Sequence, residues 1–248
     1  MNKLILSFAA LSAFGLSAAP ALADAITLDA SSIGTNYTLA YNGFSSGTPI
    51  SGLTGSTTFK LTGISGNNYT FDYSVANTSS SPITGSRISS FAFNADPNIT
   101  SAASTGAFSY TTLNSNYPNG IGTVDVCFKD AQTGSCAGGG SGGLTIGQSG
   151  TGSFTLSFSQ PISALTLSNF YVRYQSISGA GGITSASGAG TLSSTSTTSG
   201  GTTTTSSGGT SVPEPGMLGL MSAGLIATAL LRRRRHPARL AAVRPTYS

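Results

Sequence analysis

The stretch Tyr69-Thr-Phe-Asp-Tyr-Ser-Val-Ala76 alternates apolar and polar residues with a period of two. Tyr69, Phe71, Tyr73 and Val75 fall on one side, and the small or polar residues between them fall on the other. A β-strand places successive side chains on opposite faces of its sheet, so this pattern predicts a strand with one buried face. The core is therefore expected to be built from β-structure.

Shorter alternating runs occur on both sides of this stretch. Phe59 and Leu61 precede it, and residues 63–68 contain the Gly and Asn residues that favour a hairpin turn. No helical stripe interrupts the series, so an antiparallel β-sandwich is predicted for residues 24–177. The other runs are Phe91/Phe93, Val124/Val126/Phe128, Phe154/Leu156/Phe158 and Phe170/Val172/Tyr174, the last with Arg173 on the opposite face.

The N-terminal residues 1–23 have the three parts of a secretory signal peptide. Lys3 supplies the positive charge, an apolar run follows, and Ala21-Leu22-Ala23 forms a small-residue cleavage box. Cleavage is predicted between Ala23 and Asp24. The expected partners at this end are the secretion machinery and signal peptidase.

Residues 178–211 consist almost wholly of Gly, Ser, Thr and Ala. A segment of this composition has little apolar surface with which to offset the entropy lost on ordering. It is therefore predicted to be a flexible, disordered stalk between the β-domain and the C-terminal segment.

The C-terminal segment begins with Pro213-Glu214-Pro215 and continues as an uncharged apolar run to residue 231. Prolines end or begin helices, so a single transmembrane helix is predicted to start near Pro215. The cluster Arg232-Arg233-Arg234-Arg235 then resists translocation. We expect residues 236–248 to form a cytoplasmic tail, with the helix holding the exported domain at the inner membrane.

This order of parts over residues 212–235 resembles the PEP-CTERM sorting signal of exosortase-processed bacterial proteins. The resemblance implies recognition by an exosortase-type membrane protease and cutting at or near Pro213-Glu214-Pro215, so that the membrane anchor is transient. It also implies association with an exopolysaccharide-rich matrix. The cysteine and glycine pattern from Cys127 through residue 143, with residues 169–175, is similar to the cistern subgroup of these proteins.

The formal net charge of +4 does not describe the exported part of the chain. Between Asp24 and Pro215 there are four basic and seven acidic residues, which gives −3. A nucleic-acid partner is not expected, because such partners require a basic surface.

Cys127 and Cys136 are the two cysteines of the chain. Export brings them into an oxidising compartment, where a disulfide across a hairpin loop is the expected state. A metal site would need more soft ligands than these two thiols supply. We therefore predict a disulfide and no metal.

The remaining chemical groups suggest weaker alternatives. Asp96, Asp125 and Asp130 lack the spacing of a calcium loop and are expected to be solvated turn carboxylates. The same sparse carboxylates give little support to a glycosidase pair. A sugar-binding aromatic face is open as an alternative to core packing for four tyrosines, which are Tyr37, Tyr41, Tyr69 and Tyr73.

The sequence thus predicts a non-enzymatic protein of the cell envelope or extracellular matrix, without catalytic residues or cofactor. It is expected to be anchored in the membrane before processing and to reach the cell surface or medium afterwards. The alternatives are a glycan- or surface-binding module and, with less support, a secreted hydrolase.

Overall fold

A computed structural model describes residues 24–132, 136–137, 142–199 and 202–207 of the chain. The predicted signal peptide, sorting segment and cytoplasmic tail lie outside these ranges. No helix within the described ranges is long and apolar enough to cross a membrane.

Short 3-10 helices occur at Ala30–Ser32 and Gly106–Phe108. The strands are β1 (Ile26–Leu28), β2 (Thr35–Ser45), β3 (Thr48–Ser65), β4 (Asn68–Asn77), β5 (Gly85–Asp96), β6 (Ser101–Ser104), β7 (Tyr110–Tyr117), β8 (Gly122–Lys129), β9 (Leu144–Thr145), β10 (Ser149–Ser157), β11 (Leu165–Ser178), β12 (Ser185–Ser199) and β13 (Thr202–Ser207).

All described strands belong to one antiparallel sheet with the order β6-β10-β4-β3-β2-β12-β11-β5-β8-β7. Strand β1 adds to β11, β9 adds to β5 and β13 adds to β12. The sheet is nearly closed, and Thr111 Oγ1 of β7 donates to Ala102 O of β6 at 3.1 Å across its two ends. The antiparallel β class is confirmed. The predicted division into the two sheets of a sandwich is wrong, because alternation shows which face of a strand is buried and does not show which strands are neighbours.

The inner face of this sheet encloses an aromatic core. The predicted alternating runs supply most of it, since the inward-facing apolar residues of β4, β5, β10 and β11, with Val126 and Phe128 of β8, are buried there. The ring of Phe59 in β3 lies 5.7 Å from Phe91 and 5.8 Å from Phe93 and Phe154 between centroids. Edge and tilted contacts of this kind stabilise beyond the area they bury. The predicted hairpin between β3 and β4 is also confirmed, with Ser65 opposite Asn68.

Strand β12 corrects the prediction of a flexible stalk over residues 178–211, of which residues 200–201 and 208–211 lie outside the described ranges. It pairs with β2 on one side and with β11 on the other, so the folded domain extends beyond residue 177. Its buried positions include Ala186, Gly188 and Gly190, which carry little or no side chain. A Cβ atom at Gly190 would lie 2.7 Å from Cε1 of Tyr41. The small residues are therefore required because large rings from neighbouring strands occupy the space in front of β12.

The first described residue fastens the start of the domain to β12. Asp24 Oδ2 accepts a hydrogen bond from the backbone N–H of Leu192. The next residues form β1, in which Ile26 and Leu28 are buried and pair with β11. The N-terminal end of the domain thus contacts both β11 and β12.

Candidate functional site

The disulfide between Cys127 and Cys136 lies on the outer side of the sheet and is confirmed, with the two Cα atoms 6.2 Å apart. Phe91 and Phe93 point into the main core, so Ala92 between them faces outward. Ala92 packs there with both cysteines in a second, smaller apolar cluster, together with Tyr117 and Val124. The outer surface is therefore covered at this end.

Arg173 of β11 is buried beside this cluster. Its Nε donates to the backbone oxygen of Ala137 at 2.7 Å, next to Cys136. With the side-chain oxygen of Asn119 oriented toward it, that oxygen accepts from Arg173 Nη1 at 3.1 Å. Burial lowers the pKa of the Arg173 guanidinium, and Tyr117 opposes that shift. The predicted outward direction of Arg173 is correct, and its contacts tie the disulfide-linked segment to the sheet.

A second charged group lies at the end of β8. Arg87 Nη1 is 3.6 Å from Asp130 Oδ2, and Arg87 Nη2 donates to Gln175 Oε1 at 2.8 Å. Burial raises the pKa of Asp130, and the opposing effect of the nearby Arg87 offsets this rise only in part. A cavity of about 340 Å³ adjoins Arg87 and is lined chiefly by hydroxyl-bearing residues. Arg87 is engaged by its neighbours, so this cavity presents no reactive pair.

Asp125 and Asp29 also form hydrogen bonds that serve the fold. Asp125 Oδ2 accepts from Ala95 N at 2.8 Å, and Asp29 accepts from Ser31 N at 2.8 Å as a helix cap. Hydrogen bonds from Ser31 Oγ and then Ser31 N lower the pKa of Asp29. Within the described ranges, no group of three His, Cys, Asp or Glu side chains lies close enough to hold a metal ion.

The tyrosines considered for a sugar-binding face lie mainly in the core. Tyr41, Tyr69 and Tyr73 are buried, and Tyr37 is partly buried against the same core. Tyr41 Oη and Thr57 Oγ1 share a buried hydrogen bond of 2.9 Å. An aromatic sugar platform at these residues is therefore wrong, and the alternative of core packing is correct.

The outer side of β10, β4, β3, β2 and β12 carries a regular array of hydroxyl groups, here called the hydroxyl face. Three rows of five residues run across these strands, and every one of these residues is exposed or half-buried. Ten of the fifteen residues are Ser or Thr. The rows are Thr151-Ser74-Thr58-Thr38-Ser194, Ser153-Asp72-Lys60-Asn36-Ser196 and Ser149-Ala76-Ser56-Ala40-Thr191.

Sequence reasoning missed the hydroxyl face. The signal was present, because alternate positions of β3 and β10 are Ser or Thr. The alignment of these positions into rows depends on strand register, and Thr38 Oγ1 and Thr58 Oγ1 lie 2.9 Å apart only because β2 pairs with β3.

Comparison with known families locates the sorting signal. Residues 211–235 match the family model described as the PEP-CTERM protein-sorting motif. The chain carries a PEP-CTERM sorting motif. The motif indicates an exported, surface-sorted protein whose processing partner is an exosortase. Neither the curated proteins nor the solved structures contain a match to this chain, and the cistern subgroup is not confirmed.

The PEP-CTERM motif and the folded domain lie in different parts of the chain. The predicted motif residues, Pro213, Glu214, Pro215 and Arg232–Arg235, lie outside the described ranges. So does Ala23 at the predicted signal-peptide cleavage site, whereas Asp24 lies within them. The evidence for the sorting signal is therefore the sequence match, and the evidence for the hydroxyl face is the pairing of the strands.

Proposed function

We propose that this PEP-CTERM protein is a non-enzymatic structural component of the bacterial cell envelope or extracellular matrix. The observation that carries this proposal is the sorting motif at residues 211–235. An exported domain with such a signal is delivered to the surface, where its folded β-domain is the part that remains.

The proposed route begins with export and removal of residues 1–23. The apolar run 216–231 then holds the protein in the inner membrane, with Arg232–Arg235 on the cytoplasmic side. An exosortase-type protease cuts near Pro213-Glu214-Pro215 and releases the domain. The membrane is a transient partner on this route.

A non-enzymatic role is supported by the way the charged groups are used. Asp125, Asp130 and Arg173 each contact backbone or side-chain groups that hold segments of the fold together. General acid–base catalysis requires a positioned group that can reach a substrate. These groups are instead committed to the structure.

The processing step is tested with the double substitution Pro213→Ala and Pro215→Ala. The variant is expected to stay in the membrane fraction with its C-terminal segment attached, while the unmodified protein is released. Pro161→Ala, at an exposed loop position, is the matched control and should be released normally. Normal release of the double variant, measured by fractionation and intact mass, would contradict the proposed route.

A second candidate function is a binding module for a surface polymer. The observation that favours it is the hydroxyl face, which presents ten hydroxyl-bearing residues on one side of the sheet. Such a module would fix the released protein in its surroundings without chemistry.

A further inference from the structure

The hydroxyl face is a two-dimensional array of hydrogen-bonding groups. Neighbouring strands lie about 4.8 Å apart, and successive residues on one face of a strand are about 6.7 Å apart. Each Ser or Thr hydroxyl is both a donor and an acceptor. The array is therefore suited to a partner that also carries closely spaced groups of both kinds.

The charges on the hydroxyl face cancel. Lys60 and Asp72 are the two charged residues among its fifteen positions, and they lie directly opposite each other on β3 and β4. Anionic polymers are attracted by clusters of unpaired positive charge. This face lacks such a cluster, so its complementary partner is electrically neutral.

The hydroxyl face also lacks the apolar residues of a protein interface. Stable protein–protein contacts are centred on aromatic or large aliphatic side chains. The apolar members of the fifteen positions are Ala40 and Ala76, which offer little area to bury. A second copy of this chain or another protein is thus a poor fit.

The two ends of the outer surface are built differently. On β5 and β8 the surface is covered by the apolar cluster around Cys127 and Cys136. On β10, β4, β3, β2 and β12 the fifteen residues stay exposed or half-buried. The uncovered part is also the neutral, hydroxyl-rich part.

We propose that the hydroxyl face binds a neutral polysaccharide along its rows of Ser and Thr. This proposal deepens the proposed surface role and rests on it for its biological setting. Each sugar contact replaces a hydrogen bond to water, so single contacts are weak and many must act along one polymer. The partner is therefore a long chain rather than a free sugar.

The test uses protein purified after normal processing by the producing cells. Its migration is measured in native gels that contain hydroxyethylcellulose, dextran or alginate. We expect retardation by at least one of the two neutral polymers and no retardation by anionic alginate. Retardation should be unchanged when the salt concentration is raised, since no charge pairing is involved.

Four of the five hydroxyl groups of the central row are then removed with Thr38→Val, Thr58→Val, Ser74→Ala and Thr151→Val. Thr38 and Thr58 hydrogen-bond each other, so replacing both leaves neither without a partner. Affinity for the neutral polymer is expected to fall about tenfold or more, with an unchanged thermal unfolding temperature. If this variant does not fold, Thr58→Lys alone, which adds a charge and bulk at the centre of the row, should weaken binding to the same extent.

The matched control removes a hydroxyl pair elsewhere on the sheet. Thr27 Oγ1 and Thr166 Oγ1 lie 3.4 Å apart between β1 and β11, and Thr27→Val with Thr166→Val should bind as the unmodified protein does. The proposal is overturned by no retardation in either neutral polymer, by binding confined to alginate, or by full binding of the central-row variants. Each result is obtained on purified protein, so it is distinct from a failure of sorting in the proline variant.

Discussion

Strands β4 and β12 occupy equivalent positions in the sheet, since each has a paired strand on both sides. They fill the core in opposite ways. β4 contributes Phe71 and two other large rings to the core, whereas the buried positions of β12 on the core side are Ala186, Gly188 and Gly190, with Leu192 partly buried beside them.

The difference shows that a strand can be buried while supplying little core volume of its own. A Cβ atom at Gly188 would lie 2.8 Å from Val172 Cγ2 and 2.9 Å from Tyr174 Cε2. These side chains come from β11, and they occupy the space that residues of β12 would otherwise fill. The inner side of β12 is therefore covered by side chains of its neighbouring strands, whereas the inner side of β4 is covered by its own large side chains.

Deleting Ser185–Ser199 should have the largest effect, because β2 and β11 would lose the strand between them. We expect loss of cooperative thermal unfolding and of the near-UV circular dichroism signal. Deleting Thr202–Ser207, which pairs with β12 alone among the described strands, is the control and should preserve both. An unchanged transition after deletion of β12 would restore the prediction of a stalk.

Phe71→Ala tests the strand that supplies volume. The ring of Phe71 stacks on Phe154 with centroids 4.7 Å apart and is fully buried. Its removal should lower the free energy of unfolding by about 3–5 kcal/mol through lost burial and the resulting cavity. Chemical denaturation measures this loss, and Phe71→Leu should lose less. Equal losses in the two variants would mean that ring volume is not what matters there.

Gly188→Val tests whether β12 needs a residue without a side chain at this buried position. The added side chain must displace Val172 and Tyr174, so we expect the free energy of unfolding to fall by about 1–3 kcal/mol. Ala189→Val, at the neighbouring exposed position, is the matched control and should change it by less than about 0.5 kcal/mol. Stabilisation by Gly188→Val in chemical denaturation would show that β12 is not closely packed.

Two tyrosines beside β12 give the smallest expected effects. Within the described part of the chain, Tyr174 Oη is buried without a hydrogen-bond partner, whereas Tyr41 Oη bonds Thr57. Tyr174→Phe should therefore raise the free energy of unfolding by about 1 kcal/mol, and Tyr41→Phe should lower it by about the same amount. Chemical denaturation at neutral pH distinguishes them, and a loss in both variants would contradict this account.

The same pair predicts the alkaline behaviour. Burial raises the pKa of Tyr174 and Tyr41 in the folded protein. Their contribution to stability is complete below the unfolded pKa of about 10 and is lost as pH rises above it. Tyr174→Phe should therefore lose less stability than the unmodified protein between neutral pH and about pH 10.5.

The parts of the fold that were predicted depend on the residues' own side chains. The apolar alternation from Tyr69 to Val75 was sufficient for β4, and export was sufficient for the Cys127–Cys136 disulfide. Strand β12 was missed because the rings that cover it, Tyr41 and Tyr174, belong to its neighbouring strands β2 and β11. Its own composition is that of a linker.

The candidate sites divide in the same way. The sorting motif is contiguous, so its order of proline, apolar and arginine segments was sufficient to find it. The hydroxyl face depends on five strands in register, and no single segment contains it. The burial of Arg173 was likewise not predictable, because Ala137 and Asn119 come from separate loops.

The contact between Asp24 and the backbone of Leu192 makes the position of the predicted signal-peptide cut matter to β12. A cut placed one residue later would remove the carboxylate and leave the Leu192 N–H without its acceptor. If the predicted cleavage before Asp24 takes place, it leaves in the mature chain the side chain that contacts β12.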